Sequence, residues 1–451
     1  MPTIQFSTSH HERRTGLLRL PCKNVWWDDK VGAFFDRPAI VDYETKGSGQ
    51  IRGMFYQAGL FNSDRFYISG AQVFRESAII ATLAGEDNAR IAGGFDGAND
   101  CLVWVANGGL VYKYTGGVVS SVAIPDDTLI YDVKFFDNRW LYFGNLGRFY
   151  WSEINEPSNI SGLSFATAEA KPDGFLAAAI SGKSLYIFGS DTIELWYTTG
   201  DSTIPFKPNP ESTLDTGAFS RDSVYERAGR IYFLSKDRQL FLLAGGLTPI
   251  ADDSVLESLQ YAPLENISLC SLFIDGKEFF ILTDKDTASY VFDGANWYRW
   301  NRYQNLSLSI VGTIVKDGVT YAGDMSSGSV YRFDSTVNAD TEAHIDRIVS
   351  GYYPLSSGKA RNSSAVLMSS RAPGGLTTVV DPQVEMRYSD DGGYEFSEWM
   401  AESMGGIGEY WVKPTWRALG QRSAFGRVYQ VRCAENVPFC PQNLVLDEDT
   451  R

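Results

Sequence analysis

The chain of 451 residues is 44% hydrophobic and 21% charged, which supplies a packed core and excludes a disordered chain. Its net charge of −15 at pH 7 opposes tight grasp of a phosphate backbone by a general basic face. Five scattered cysteines (Cys22, Cys101, Cys270, Cys433 and Cys440) form neither a disulfide framework nor a zinc-ligand spacing, and no run approaches the roughly 20 apolar residues that span a bilayer. The 24 Tyr, 27 Phe and 11 Trp, together with 43 Gly, point to an all-β chain of aromatic strands and glycine turns.

Residues 1–49 come first and show no repeat; they hold Arg13-Arg14 and Trp26-Trp27 but no apolar h-region. The expectation is a protein neither exported by its own signal nor embedded in a membrane.

From about residue 50 a unit recurs: an apolar strand with a central aromatic, a polar turn, and a second aromatic strand. It reads Phe66-Tyr67-Ile68 then Val73-Phe74, Leu102-Val103-Trp104 then Val111-Tyr112, and Leu141-Tyr142-Phe143 then Phe149-Tyr150-Trp151. Leu185-Tyr186-Ile187 with Leu195-Trp196-Tyr197, and Ile231-Tyr232-Phe233 with Leu240-Phe241-Leu242, follow. Phe279-Phe280-Ile281 with Tyr290-Val291-Phe292, and Thr320-Tyr321-Ala322 with Val330-Tyr331, complete the series. The strand centres fall at 67, 103, 142, 186, 232, 280 and 321, spaced by 36 to 48 residues. Propeller blades have a period of about 40 to 50. A four-stranded blade cannot bury both faces alone, whereas radial stacking does so and leaves only short edges. The repeat therefore predicts a β-propeller of six or seven blades over residues 50–338, with a pair of stacked β-sandwiches as the competing architecture.

Pro205, Pro208 and Pro210 suggest a rigid excursion between the fourth and fifth repeats, and Asp253-Ser254 could cap one short helix over Val255–Leu259. From 339 to 451 a further β region follows, including Val366-Leu367-Met368, Thr377-Thr378-Val379-Val380, Val384–Tyr388 and Val428–Arg432. Its polar and apolar alternation suits a sandwich with one solvated face. Lys and Arg number 11 and Asp and Glu 14 from residue 341 onward, which leaves −12 of the net charge on residues 1–340.

Chemistry-bearing motifs are sparse. Ser389-Asp390-Asp391-Gly392-Gly393-Tyr394-Glu395-Phe396 matches the Asp-box of sialidases, a device that holds a hairpin turn and performs no chemistry. A sialidase would repeat it through several blades and add an arginine cluster with a Tyr–Glu pair. His10, His11 and His344 are too few for general-base or zinc chemistry, and His10-His11 reads as a solvated segment. The doublets Asp126-Asp127, Asp252-Asp253 and Asp390-Asp391 lack a dense calcium loop, and Gly47 with Gly49 lacks a dinucleotide-loop context. Cys433 and Cys440 are spaced for a bridge across a loop, although reduced thiols fit better. The expectation is no enzyme, no catalytic residue, no cofactor and no metal. Trp26, Trp27, Trp399 and Trp411 are the candidates for interface anchors. A carbohydrate-binding or glycan-cleaving propeller is the alternative.

Several segments together resemble the tail hub proteins of short-tailed bacteriophages, also called packaged-DNA-stabilisation or nozzle proteins. The resemblance rests on Ile51-Arg52-Gly53-Met54 with Arg65–Phe74, and on Lys171-Pro172-Asp173-Gly174-Phe175 leading to Leu185–Gly200. It continues in Arg387–Gly393, Trp416-Arg417-Ala418-Leu419-Gly420 and Arg427-Val428-Tyr429. Where the family has a Pro-Gly-Leu turn, this chain reads Arg37-Pro38-Ala39-Ile40. The resemblance implies a homo-oligomeric ring of six, assembled in the host cytoplasm into the virion tail beneath the portal and its adaptor. It further implies a continued DNA channel without sequence-specific binding, retention of the packaged genome, support for a needle, fibre or spike, and no enzymatic activity.

Overall fold

The computed structural model describes residues 2–10, 20–83, 85, 87–106, 108–144, 147–168, 171, 173–263, 266–341, 343–354, 361–369, 379–406, 408–421 and 426–449. His11, Arg13, Arg14, Pro172, Thr377 and Thr378 lie outside them. Among the described residues, seven four-stranded antiparallel sheets follow one another as blades of a propeller. Their first strands are Ile51–Phe55, Arg90–Asp96, Ile130–Phe136, Ala177–Ser181, Val224–Arg227, Ile267–Ile274 and Ile310–Lys316. Each first strand packs on the next, and that of blade 7 packs on that of blade 1, so the ring closes.

The aromatic hairpins of the sequence are the second and third strands of each blade. They carry large side chains on both faces because both faces are covered by neighbouring blades. In blade 3, Arg139–Gly144 is buried at every position, and Tyr142 and Phe143 pair with Tyr150 and Phe149. The inner strands read differently because blades converge on the axis and leave little room. A Cβ on Gly93 would stand 2.2 Å from the Phe55 ring, and one on Gly94 2.5 Å from that of Phe135. These two glycines are thus where neighbouring blades touch.

Blades 1 to 6 are each built from one continuous stretch. Blade 7 is not. Its outer strand is Ala39–Thr45, from before blade 1, antiparallel to Ser329–Asp334. The prolines after residue 204 also resolve differently from the sequence reading: Phe206–Pro208 is the outer strand of blade 4, paired with Trp196–Thr198. Proline is tolerated there because an edge strand has a side with no ladder partner. Among the described residues one short α-helix forms, Asp253–Tyr261, capped by the Asp252 carboxylate, which accepts from the Val255 amide at 2.9 Å. Its buried Val255 and Leu259 cover the seam of blades 5 and 6.

The C-terminal region is a sandwich of two four-stranded sheets. One holds Arg347–Tyr353, Arg427–Cys433, Gln383–Ser389 and Met400–Ser403; the other holds Arg361–Ser369, Pro441–Asp449, Thr415–Arg417 and, from the N-terminus, Thr3–Gln5. Val349, Met386 and Val431 of the first share one core with Leu367, Trp416 and Leu444 of the second.

The described residues within 1–49, read as a segment before the propeller, are shared between the two modules and join them. Lys23 exchanges backbone bonds with Ile348 of the sandwich, while Asn24 donates to the Arg299 carbonyl of blade 6 at 2.9 Å. Residues 22–24 thereby sit as a linking strand between two exposed sheet edges, which satisfies both.

Candidate assembly surfaces and the propeller axis

The inner strands meet around a polar axis. At the mouth where the first strands begin lies a cavity of about 600 Å³ bordered by Asp87, Asn88, Arg221, Asp222 and Lys285. The chain crosses it. Arg90 at the start of blade 2 pairs with Asp222 at 2.9 Å and donates to the Arg221 carbonyl, both residues lying just before blade 5. Arg221 donates in return to the Asn88 carbonyl, and Asn88 Nδ2 to Asp222 Oδ2 at 3.2 Å. Blades 2 and 5 stand three apart in a ring of seven, so these bonds run from one side of the axis to the other. Deeper in, Lys134 of blade 3 reaches Glu226 of blade 5 at 3.2 Å. Burial pulls the Lys134 ammonium down, but Glu226 and Asp132 outweigh it and hold its pKa above the ordinary value. Burial and the facing Arg90 push Arg221 the other way, below the ordinary value. The propeller is a cross-tied disc.

The four candidate tryptophans fall in different settings. Trp26 is buried against Phe35 and Phe279, at 5.3 and 5.4 Å between ring centroids, with the Lys277 ammonium 4.9 Å from its ring. Trp27 packs edge-on to Phe34, and its backbone amide donates to the Tyr298 hydroxyl at 3.0 Å. Together they pin the hairpin of Val25–Asp28 and Ala33–Asp36 to blade 6, inside the molecule. Trp399 is half-buried between the guanidinium groups of Arg387 and Arg432, at 4.3 and 4.4 Å. Trp411 is 75% exposed beside the exposed Tyr410.

His10 departs from the sequence reading. It is buried, and its Nδ1 lies 3.1 Å from the Cys22 amide that donates to it. Residues 7–10 run along blade 6, where His10 N donates to the Trp297 carbonyl, so the histidine is enclosed by its own chain. The Asp doublets separate into unrelated duties. Asp390 takes both ends of the Arg427 guanidinium at 2.8 and 2.7 Å, while Asp391 accepts from Ser389 and the amides of Tyr394 and Glu395. The Ser389 bond and those amides hold Asp391 below the usual carboxylate range. Asp126 meets Arg148 at 3.3 Å, and Asp252 caps the helix. None of the five cysteines is in a disulfide and all are buried, Cys433 and Cys440 included. Among the described residues, no three His, Cys, Asp or Glu side chains come together as a metal site.

Sequence reasoning missed three buried arginines at junctions. Arg37 donates to Asn24 Oδ1, the Pro38 and Asn301 carbonyls, and both oxygens of Asp340. Arg347 reaches the carbonyls of Cys433, Glu435 and Val437 and lies 3.2 Å from Asp36. Arg427 stacks 3.9 Å from the Tyr388 ring. The sequence offered a departure only beside Arg37, where Ala39 stands in place of the glycine of the resembling family's Pro-Gly-Leu turn.

A closed ring of blades, tied across its axis and fused to a sandwich, defines a structural β-propeller. The sequence matches the family described as Bacteriophage P22 Gp10, beta-propeller, over residues 32–338, and the chain belongs to that family. The match begins before the closing strand and ends past the last strand of blade 7, so it takes in the whole ring. The protein is accordingly a structural part of a bacteriophage tail that associates with other virion components. No curated protein matches the chain. Similar solved structures include BBS1N in complex with ARL6DN, at 9% identity and TM-score 0.46, covering 66% of this chain and 98% of that one. The computationally designed Ika8 protein is 11% identical with TM-score 0.38, covering 73% and 99%. YCF48 from Cyanidioschyzon merolae is 12% identical with TM-score 0.42, covering 66% and 99%.

Proposed function

We propose that this chain is the hub subunit of a short phage tail. Six copies form a ring beneath the portal and adaptor, continue the DNA channel, retain the packaged genome and carry the distal tail parts. The observation behind this reading is the closed axis. Ion pairs at 2.9 and 3.2 Å join inner-strand residues of blades that are not neighbours, the first beside a cavity of about 600 Å³ and the second deeper in, so no duplex threads a single propeller. A conduit built from this chain is therefore the lumen between copies. The net charge of −15 suits that lumen, because an acidic wall repels phosphates and lets DNA slide during ejection.

Reconstruction of purified tails tests the proposal. The expected result is a ring of six copies around a lumen poor in Lys and Arg; a lumen lined mainly by those residues, or single copies on the tail periphery, would overturn it. Capsids assembled without the protein should also lose nuclease-protected DNA, and full retention would count equally against the genome-holding role.

A further inference from the structure

A propeller leaves the outer strand of every blade with one open edge, and open edges invite strand pairing unless something blunts them. Six of the seven edges here are blunted. In blade 1 the outer strand Ala78–Thr82 carries a bulge, since Val73 pairs with Ala81 and Phe74 with Ile79, so Ile80 is left over. The outer strand of blade 3, Phe165–Thr167, is three residues long, and those of blades 4 and 5, Phe206–Pro208 and Leu247–Pro249, each hold a proline. Residues 22–24 lie along Trp297–Trp300 of blade 6, where Arg299 N donates to the Cys22 carbonyl at 3.2 Å. In blade 7 the Ile40 and Asp42 amides donate to the Asp340 and Thr341 side chains at 2.8 and 2.9 Å.

Blade 2 has none of these devices. Its outer strand, Val118–Val122, is five residues of Val and Ser without charge, proline or bulge, and among the described residues no strand or bridge lies along its far side. The two-residue turn Gly116-Gly117, with φ of 57° and 83°, fixes which groups look outward. Thr115 and Val118 close that turn, and such a closing pair exchanges both of its backbone bonds. Alternation then turns the amides and carbonyls of Val119 and Ser121 away from the blade. The strand is held from behind: Val119 packs on the core of blades 1 and 2, and Val122 on that of blades 2 and 3. Val118 is 65% exposed, and Ser120 and Ser121 are exposed as well. The edge is a rigid template with its backbone groups facing out.

What such an edge receives is seen twice in the chain itself. Blade 6 takes residues 22–24 and blade 7 takes Ala39–Thr45, in each case one extended segment arriving from outside the blade. Two copies meeting edge to edge at Val118–Val122 would instead close as a two-fold pair and stop there. We propose that Val118–Val122 is a strand-addition site whose occupant is an extended, uncharged, proline-free segment of a different tail polypeptide. Backbone bonds to Val119 and Ser121 hold that segment, and its apolar side chains cover Val118. The proposal draws on the family's association with other virion components and does not require the ring of six.

Hydrogen exchange on the purified chain and on purified tails is the first test. The Val119 and Ser121 amides should exchange freely in the isolated chain and about a hundredfold more slowly in tails, while the Val118 and Ser120 amides, bonded within the blade, stay protected in both. A photo-crosslinking residue in place of the exposed Ser120 should join the chain, in tails, to an uncharged extended segment of a different polypeptide. Ser121→Pro removes an outward amide without touching the ladder, and Ser121→Lys sets a charge on the edge. Both variants should keep the unfolding midpoint and lower incorporation of the crosslinked polypeptide into tails about tenfold. Free exchange of both amides in tails, crosslinks to another copy of this chain, or undiminished incorporation with Ser121→Lys would each overturn the proposal.

Discussion

Replacing Arg37 by alanine should loosen the closing strand of the propeller first. The side chain is 1% exposed and makes five bonds between 2.5 and 3.0 Å. They reach Asn24 in the linking segment, Asn301 after blade 6, and Asp340 after blade 7. Alanine leaves the Asp340 carboxylate, whose side chain is 10% exposed, without its cation. Removing one partner of a buried pair costs about 3–5 kcal/mol. Arg37→Lys keeps the charge but not the planar fork and should lose about 2 kcal/mol. Asp340→Asn still accepts from the Ile40 amide at 2.8 Å and should lose about 1–2 kcal/mol. Urea unfolding followed by tryptophan fluorescence reads the loss, and hydrogen exchange locates it, with protection falling first over 39–45 and 329–334. An Arg37→Ala midpoint within about 0.5 kcal/mol of the unaltered protein, or protection lost first in blades 2 to 4, would refute the reasoning.

Three further outcomes are expected. Burial alone would raise the Glu76 pKa, but the Arg65 fork at 2.6 Å and nearby Lys316 hold it at about 2, below the unfolded value of about 4.3. Its contribution is therefore present above about pH 4.3 and lost as the pH falls towards 2. With the side chain 30% exposed it amounts to about 1–2 kcal/mol, and Glu76→Gln should flatten the acid limb of the stability profile; an unchanged limb refutes this. Burial pushes the Cys101 and Cys270 thiols up to about 12, and all five are enclosed, so native protein should take up no thiol reagent and denatured protein should take up five labels per chain. A double-mutant cycle on Arg90 and Asp222 should give a coupling of about 0.5–1 kcal/mol, the carboxylate being 39% exposed; strict additivity would mean the cross-axis tie is idle.

The sequence disclosed the hairpins that are apolar on both sides and little else of each blade. Tyr67, Tyr142, Tyr186 and Tyr232 announced second strands because burial on two faces demands large side chains in a row. Ala177-Ala178-Ala179 and Gly93-Gly94 did not announce inner strands, since crowding at the axis selects small residues that local pattern takes for turns. The seventh repeat stopped after its third strand while Ala39-Ile40-Val41 stood unassigned, but a strand carries no mark of which distant edge it will join. Arg37, Arg347 and Arg427 were equally silent, because a buried guanidinium looks like a surface one until the carbonyls around it are known. Trp26 and Trp27 were read as candidate interface anchors; that they pack within the chain depends on a hairpin whose partner lies in blade 6, which no local pattern discloses.

Closure by Ala39–Thr45 has a consequence in time. Ala39 pairs with Asp334, almost 300 residues later, which at about 5–20 residues per second is roughly 15–60 s of synthesis. For that interval the strand waits on the nascent chain with its hydrogen-bonding edge open. Its own residues provide the safeguard: Asp42 and Glu44 interrupt the apolar run, and charges on an open edge discourage pairing with strangers. The piece that locks the wheel is made first, used last, and built to be unattractive in between.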